Sequence, residues 1–203
     1  MAQITVLEGS RGAYVIMPCI KGEAQAVQAR ASALLGWRPG IMEVAVDDWN
    51  GQLSPWPAPA VPPSFGPFSG GGPAFLKTMM DQLGDEACHI AGYSLAGLFS
   101  IYAGLEWPQI RNVASASGSL WFPGFRTWAE ERLDRLEGLY ISLGDREART
   151  GNPVLSRVQS ESGALYERAL ALGLRTSFVL EKGGHFNEAQ NRLARAVAWL
   201  LDE

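Results

Sequence analysis

Short apolar runs alternate along the chain with longer segments rich in good helix formers. The apolar runs predict strands, and the longer segments predict helices. Strands separated by helices in this way form a mainly parallel sheet that is covered on both faces. The pattern therefore predicts an α/β fold, a three-layer α/β/α sandwich. The predicted strands cover residues 13–17, 41–46, 90–92, 113–117, 139–143 and 175–180, and the predicted helices cover residues 23–35, 74–83, 95–106, 126–136, 155–172 and 187–202.

Residues 51–73 interrupt this alternation with a long stretch rich in proline, glycine and serine. Its composition predicts no regular structure, and a loop this long inside a compact domain is usually functional. Trp49, Trp56 and Trp121 lie in segments that follow predicted strand ends. A tryptophan in such a place either walls a substrate pocket or packs in the core. We expect Trp49 and Trp121 to bind substrate.

The composition fits one globular domain and argues against several classes of partner. With 203 residues, 47% of them hydrophobic, the chain can bury one substantial core, so we expect a single domain over residues 1–203. A net charge of −4 provides no basic surface for nucleic acid and no polybasic patch for anionic lipid. The amino terminus has no signal-peptide pattern, and no apolar run is long enough to span a bilayer. We therefore expect a cytoplasmic protein without nucleic-acid or membrane partners, and the oligomeric state stays open.

The cysteines and histidines do not indicate a metal or a cofactor. Cys19 and Cys88 lie at the edges of predicted strands, where free cysteine usually acts as a small buried hydrophobe. A disulfide between them stays open. No histidine or cysteine pair has the spacing of metal ligands, and no glycine fingerprint for a dinucleotide follows the first predicted strand. The sequence thus predicts neither a metal site nor a cofactor.

Residues 92–97, GYSLAG, place Ser94 between a predicted strand and a predicted helix. A serine on a strained turn of this kind needs neighbours two positions away with almost no side chain, because strand and helix otherwise collide. Gly92 and Ala96 supply that room, although glycine is more common at the second position. The motif predicts that Ser94 is a nucleophile, and an ordinary strand-to-helix turn is the alternative interpretation.

Two histidines are available as the base that such a serine needs. His185 lies in a glycine-bearing loop just after the predicted strand at residues 175–180, which is a typical position for a functional residue. His89 lies at the start of the strand that leads to Ser94, more than about 10 Å away at the usual rise per residue. We therefore predict that His185 is the base and that His89 has a structural role.

An acidic pair lies between Ser94 and His185 in the sequence. The predicted strand at residues 139–143 ends in Gly144, and Asp145 and Glu147 follow it. Either carboxylate could orient the histidine, and aspartate directly after a strand also serves as a turn or capping residue. The order serine, acid, histidine is that of the α/β-hydrolase triad.

Taken together, these motifs resemble the α/β-hydrolase superfamily, in particular the small esterases of the esterase D-like group. The resemblance covers nearly the whole chain and rests on residues 92–97 (GYSLAG), 115–121 (SASGSLW), 143–147 (LGDRE) and 183–185 (GGH). It implies an α/β-hydrolase fold that cleaves carboxylic esters through an acyl-enzyme. We expect the minimal, lidless form of the fold, because the core elements already use most of the 203 residues. The triad of the superfamily carries over to Ser94, Glu147 and His185, because the acid usually lies three residues past the glycine that closes the strand. Asp145 remains the alternative acid.

One segment departs from the pattern of the superfamily. Residues 18–22, PCIKG, stand where a His-Gly pair usually follows the first core strand. We expect the backbone N–H groups of Leu95 and Ile20 to form the oxyanion hole. The sequence predicts a serine hydrolase for a small soluble ester. Thioester cleavage and acyl transfer would use the same residues, and a non-catalytic binding or sensing module with this fold is the alternative from another class.

Overall fold

The computed structural model describes residues 2–61, 63–84 and 89–202. Helices and strands alternate along most of the chain, as the sequence pattern predicts. Among these residues the strands are β1 Gln3–Leu7, β2 Tyr14–Cys19, β3 Gly40–Ala45, β4 Pro57–Ala58, β5 Phe68–Ser69, β6 His89–Tyr93, β7 Asn112–Ala116, β8 Gly138–Gly144 and β9 Arg175–Glu181, and the helices are α1 Ala24–Leu35, α2 Trp49–Gln52, α3 Gly72–Leu83, α4 Leu95–Glu106, α5 Phe125–Glu130, α6 Val158–Ala171 and α7 Ala189–Leu201.

Seven strands form the central sheet in the order β1-β3-β2-β6-β7-β8-β9. The strands from β3 to β9 in this order run parallel, and β1 pairs antiparallel with β3 at one edge. After β2 the chain turns to one side to form β3, and it then returns to form β6 on the other side of β2. The carboxyl ends of β2 and β6 therefore flank the point where the strand order reverses, which is where open α/β sheets bind ligands.

Helices cover both faces of the sheet, which explains why β2 is apolar along its whole length. Val15 and Met17 belong to a core cluster that also contains buried residues of α1 and α7. Ile16 points to the opposite face and packs in a larger cluster with residues of α3 and α4. Successive side chains of a strand alternate between faces, so a strand buried on both sides needs apolar residues at every position. The predicted α/β/α architecture is confirmed.

The prediction that residues 51–73 lack regular structure is wrong in part. Strands β4 and β5 form a small antiparallel ribbon within this segment. The buried hydroxyl of Ser54 accepts a hydrogen bond from the Gly70 N–H (2.8 Å), and the Gly72 N–H donates to the Ser54 carbonyl (2.9 Å). These contacts join the two ends of the segment, and Phe68 packs in the core. The order of the segment therefore comes from tertiary contacts that its composition does not reveal.

The helix predicted over residues 126–136 is broken into α5 and a short 3₁₀ turn at Leu133–Arg135. The backbone N–H of Arg132 donates to the Ala129 carbonyl three residues back, rather than to Trp128 as an α-helix would require. The Arg132 guanidinium itself donates to the Trp128 carbonyl (2.8 Å). A side chain thus satisfies the carbonyl that the helix leaves unpaired.

Two further differences concern the termini of the chain. The antiparallel edge strand β1 is absent from the strands predicted from the sequence, and α7 begins at Ala189 after Glu188 adopts a left-handed backbone conformation. Within residues 2–61, 63–84 and 89–202, no helix is long and apolar enough to cross a membrane.

The core around α4 is expected to carry much of the stability. Leu98 of α4 is fully buried, whereas Leu34 of α1 is 56% exposed. We expect Leu98→Ala to lower the free energy of unfolding by about 2–5 kcal/mol, because it removes buried methyl groups and leaves a cavity. The control Leu34→Ala is expected to change it by about 0.5 kcal/mol or less. Urea unfolding followed by circular dichroism measures both, and equal effects would contradict this account of the core.

Candidate active site

Ser94 occupies a strained turn between β6 and α4. Its backbone φ of 59° and ψ of −123° lie in a region that residues with a side chain rarely adopt. A Cβ atom on Gly92 would overlap the carbonyl group of Ala96, and a Cβ on Gly97 would lie 2.9 Å from the Ser115 hydroxyl. The small residues around Ser94 are therefore required by the close approach of strand and helix. The turn presents the Ser94 side chain at the carboxyl end of β6.

The structure brings Ser94, His185 and Glu147 into one hydrogen-bonded chain. The Ser94 Oγ lies 3.0 Å from His185 Nε2, and His185 Nδ1 lies 2.7 Å from Glu147 Oε2. The Glu147 side chain is 4% exposed and that of His185 is 30% exposed. Ser94, at one end of this series of hydrogen bonds, faces a cavity, and the Glu147 carboxylate at the other end is buried. In this arrangement the imidazole can accept the proton of the serine hydroxyl.

Asp145, the alternative acid, has a different environment. Its carboxylate accepts a hydrogen bond from the Gly183 N–H (2.9 Å), and its own N–H donates to the Glu181 carbonyl (2.7 Å). The Asp145 side chain is 45% exposed. These bonds join the loop after β8 to the loop after β9. Asp145 thus stabilises the loop that holds His185, and Glu147 is the carboxylate that contacts the imidazole.

Hydrogen bonds keep the buried Glu147 carboxylate ionised. Burial alone would raise the pKa of Glu147, but the hydrogen bond to His185, the Gly144 N–H (2.6 Å), the charge of protonated His185 and the Ser117 hydroxyl (2.8 Å) together hold that pKa below its ordinary value. Arg192 Nη1 also donates to Oε1 (2.9 Å). Each donor stabilises the charged form more than the neutral acid.

The loop after β9 presents His185 through several backbone contacts. The Tyr93 hydroxyl donates to the His185 carbonyl in a short hydrogen bond, and the two rings lie 5.6 Å apart. The Gly184 N–H donates to the Asn187 side chain (2.8 Å). Gly183 has a φ of 116°, a conformation that favours glycine. The loop therefore has a defined course between β9 and α7 that places the imidazole beside Ser94.

A cavity of about 470 Å³ opens beside Ser94. Aromatic and aliphatic side chains form much of its wall, and this size and character are typical of sites for small organic ligands. Trp49 and Trp121 both line it, where the sequence analysis expects them to contact substrate. The other residues that line it are Asn50, Val61, Phe68, Ser94, Leu95, Ser117, Gly118, Ser119, Glu147, Thr150, Leu155, Val158, His185 and Phe186.

Trp56 packs in the core, which is the second of the two roles that the sequence left open for tryptophans near strand ends. Its ring packs against Phe122 and Trp128 with centroid distances of 5.8 Å and 5.7 Å, and its indole N–H donates to the Pro123 carbonyl (3.0 Å). Trp56 is not among the described residues that line the cavity. Trp56 therefore packs against the hydrophobic core instead of lining the cavity.

The two predicted oxyanion residues lie in different surroundings. Leu95 is the first residue of α4 and lines the cavity. Ile20 is 65% exposed in the turn after β2, and it is not among the described residues that line the cavity. The buried Glu43 carboxylate holds this turn by accepting hydrogen bonds from the Gly22 and Ala24 N–H groups (both 3.0 Å). The role of the Ile20 N–H as a donor in the oxyanion hole stays a prediction.

His89 and the cysteines lie away from this cavity or outside the described residues. His89 is the first residue of β6, at the end of the strand opposite to Ser94, and burial followed by the charge of Arg175 lowers its pKa. Cys19 is a buried free thiol whose pKa is raised mainly by burial, and Cys88 lies outside the described residues. In the described part of the chain, no three histidine, cysteine or acidic residues are placed to hold a metal ion.

The sequence analysis missed Ser117, Arg192 and Phe186. Ser117 directly follows β7 and has a positive φ of 48°. Its place at the end of a predicted strand, at the same sheet edge as Ser94, is the sequence signal that could have identified it. Arg192 falls on the apolar face of α7 beside Leu193, where a charged residue is unusual. Phe186 follows His185 directly and is 89% exposed, and its ring meets the imidazole edge-on at 5.0 Å.

Comparisons with known proteins identify the fold. No protein-family model and no curated protein sequence matches the chain. Among solved structures, an IroE-like serine hydrolase from Shewanella oneidensis has a TM-score of 0.71 at 16% identity, over 98% of this chain and 75% of that one. A carboxylesterase from Bacillus cereus has a TM-score of 0.62 at 11% identity, over 96% of this chain and 92% of that one.

A third similar structure is considerably longer than this chain. The enterobactin esterase FES from Shigella flexneri has a TM-score of 0.63 at 18% identity, and the match covers 98% of this chain but 55% of that one. This chain thus spans about half the length of the Shigella esterase. At these identities the similarity establishes the fold, which is that of the α/β hydrolases.

The lowered pKa of Glu147 predicts a pH-dependent contribution to stability. A carboxylate whose folded pKa is depressed stabilises the fold fully above its unfolded pKa of about 4.3, and that contribution is lost as the pH falls through the lower folded value. We expect Glu147→Gln to destabilise the protein near neutral pH, and the difference from wild type to shrink in acid. Urea unfolding at several pH values measures this difference.

Asp145→Asn is the matched control for this measurement. Asp145 lies two residues away in the same loop, but its side chain is nearly half exposed and contacts a backbone N–H rather than His185. We expect Asp145→Asn to destabilise the protein less than Glu147→Gln near neutral pH, because the half-exposed Asp145 carboxylate accepts one backbone hydrogen bond whereas the buried Glu147 carboxylate has several donors. A constant difference between wild type and Glu147→Gln at all pH values would contradict the assignment of a depressed pKa to Glu147.

Proposed function

We propose that this protein is a serine hydrolase that cleaves a small carboxylic ester with an uncharged, apolar acyl group. The hydrogen-bonded chain from Ser94 through His185 to Glu147, with Ser94 at the wall of the cavity, is the observation that carries the proposal. The similarity in fold to an IroE-like serine hydrolase, a carboxylesterase and an enterobactin esterase supports it. We infer that the chemistry follows the two-step course of an acyl-enzyme.

In the first step, the Ser94 Oγ attacks the carbonyl carbon of the ester while His185 Nε2 takes the hydroxyl proton. The tetrahedral intermediate then expels the alcohol, which receives that proton from His185, and the acyl group stays on Ser94. In the second step, water attacks the acyl-enzyme and gives a proton to His185. The C–O bond to Ser94 breaks, the proton returns to Oγ, and the carboxylic acid leaves. Glu147 orients the imidazole and stabilises its charged form.

The negative charge on the tetrahedral intermediate needs hydrogen-bond donors. The Leu95 N–H, at the first turn of α4, is one donor in this proposal. The second is the N–H of Ile20. The turn that contains Ile20 follows β2, and β2 pairs directly with β6, the strand that leads to Ser94. The reversal of strand order between these strands favours a site at their carboxyl ends.

Residues at the wall of the cavity support the substrate class. Trp49, Phe68 and Trp121 present aromatic surface, and Leu155 and Val158 add aliphatic surface. Among the described residues that line the cavity there is no lysine or arginine. An apolar acyl group gains free energy from burial against these side chains, whereas an anionic group would lose its hydration without a cationic partner. Thus an uncharged aryl or alkyl ester fits the cavity better than a charged one.

Labelling with a fluorophosphonate tests the nucleophile directly. We expect stoichiometric modification of Ser94 in the folded protein, mapped by peptide mass spectrometry, and hydrolysis of p-nitrophenyl esters. Ser94→Ala is expected to abolish both while leaving the unfolding free energy nearly unchanged. A folded wild-type protein that neither reacts with the probe nor hydrolyses any ester would defeat the proposal and favour a binding module.

The two histidines provide a matched control for the same assays. His185→Gln is expected to reduce labelling and ester turnover about as much as Ser94→Ala, because members of such a chain act as a unit. His89→Gln changes the only other histidine of the sequence and is expected to retain both activities. Equal losses in the two variants would exclude a specific role of His185 as the base.

Trp121→Ala tests the acyl site. We expect KM for an aryl or medium-chain alkyl ester to rise about tenfold, which corresponds to about 1.4 kcal/mol of lost binding, and KM for an acetyl ester to change little. Trp37 is the control position, since it stacks under Arg11 and does not line the cavity in the described structure. If Trp37→Ala and Trp121→Ala alter KM equally, the cavity does not hold the acyl group.

A further inference from the structure

Arg192 is a fully buried charged residue in α7 (0% exposed). It lies on the face of the helix that carries Leu193, Val197 and Leu200 into the core. A buried charge is costly unless it is paired and hydrogen-bonded, and an apolar residue of similar volume often stabilises a core at least as well. The Nε atom of Arg192 has no hydrogen-bond partner among the described residues. Packing alone therefore does not explain an arginine at this position.

The guanidinium of Arg192 connects three segments at the carboxyl edge of the sheet. Nη1 donates to Glu147 Oε1 (2.9 Å) and to the Ser117 hydroxyl (2.9 Å), and Nη2 donates to the Lys182 carbonyl (3.2 Å). Ser117 follows β7, Glu147 lies in the loop after β8, and Lys182 follows β9. A Cβ atom on Gly144 would lie 2.8 Å from Nη2, so the glycine leaves room for the guanidinium.

We propose that Arg192 is a positioning residue that holds Glu147 in one orientation towards His185. The Ser117 hydroxyl, the Gly144 N–H and Arg192 Nη1 all donate to Oε1, and Oε2 pairs with His185 Nδ1. The carboxylate cannot rotate without breaking all three bonds to Oε1. Because this role concerns how Glu147 orients the base, it rests on the function proposed above.

The charge of Arg192 also favours the ionised form of Glu147. His185 contacts Glu147 from the loop after β9, Tyr93 faces them from β6, and Arg192 faces them from α7. Of these three residues, arginine alone carries a permanent positive charge. Protonation of Glu147 would remove the negative charge that pairs with the guanidinium. Removal of Arg192 takes away a hydrogen bond and a positive charge that favour the ionised carboxylate, so the pKa of Glu147 should rise.

The test compares Arg192→Met with Arg195→Met, which removes the next arginine of the same helix. The Arg195 side chain is 42% exposed and contacts Glu181 rather than Glu147. For each variant, kcat and KM for a p-nitrophenyl ester are measured as a function of pH. The values are normalised to the fraction of Ser94 that reacts with a fluorophosphonate, so that a loss of folded protein does not count as a loss of rate.

We expect kcat of Arg192→Met to fall about 10- to 100-fold, a loss comparable to that found when a residue that orients a metal ligand is removed. KM should change less than about threefold, because Arg192 does not touch the cavity. The acidic limb of the pH profile should move to higher pH. Arg195→Met should leave the rate and the profile unchanged. A normalised kcat and an acidic limb that match wild type would overturn the proposal.

Ser117→Ala serves as the second variant if Arg192→Met does not fold. It removes one donor to Oε1 and one acceptor of Arg192, and it leaves the guanidinium in the core. We expect a smaller decrease of kcat than for Arg192→Met, and the full wild-type kcat in a folded Ser117→Ala protein would overturn the proposal.

Proton NMR separates this inference from the proposed function. The imidazole proton between His185 and Glu147 is identified as the downfield resonance that His185→Gln removes. We expect Arg192→Met, or Ser117→Ala in its place, to shift or broaden that resonance, and Arg195→Met to leave it in place. A protein without any esterase activity would defeat the proposed function, yet this shift would still establish the positioning role. An unchanged resonance would overturn it.

Discussion

The buried carboxylate of Glu147 is the group on which the geometry of the site depends. A charge in this position requires several donors, and the structure supplies them from the ends of β7 and β8, from α7 and from the loop after β9. Each donor belongs to a different segment, so satisfying one carboxylate fixes the relative positions of all of them. His185 is held from two sides, by Glu147 at its Nδ1 atom and by Tyr93 at its backbone carbonyl. The hydrogen bonds that the buried Glu147 charge requires thus fix the position of the His185 imidazole.

The parallel sheet explains why these segments meet at all. In strands β6, β7, β8 and β9, which are neighbours and run in the same direction, the residues that follow each strand lie at one edge. Ser94, Ser117, Glu147 and His185 follow these four strands in that order. The turn at Ser94 is strained, and the hydrogen bonds of its carbonyl to Gly97, Leu98 and Ser119 hold it in place (3.0–3.2 Å). The packing of α4, which is buried along nearly its whole length, thereby stabilises a backbone conformation that a free peptide would rarely adopt.

The proline-rich segment contributes to the cavity together with the ends of the sheet strands. Trp49 precedes this segment and Phe68 lies within it, and both line the cavity. The segment keeps its course because Ser54, Gly70 and Gly72 join its two ends and because Phe68 packs against Phe122 at 5.2 Å. A region without a clear hydrophobic period therefore contributes Phe68 and Val61 to the wall of the cavity.

The sequence by itself determined the α/β class, most strands and helices of the core, and the segments that carry Ser94, His185 and the acidic pair. Local periodicity and the small residues around Ser94 report directly on burial and on close backbone approach, so these features can be predicted without the fold. The choice between Asp145 and Glu147, the ribbon in residues 51–73 and the role of Trp56 depended on the tertiary structure. So did Arg192, since a charged residue on an apolar helix face acquires meaning only from its partners. These partners are distant in the sequence, and their hydrogen bonds form only when the strand ends have been brought to one edge of the sheet.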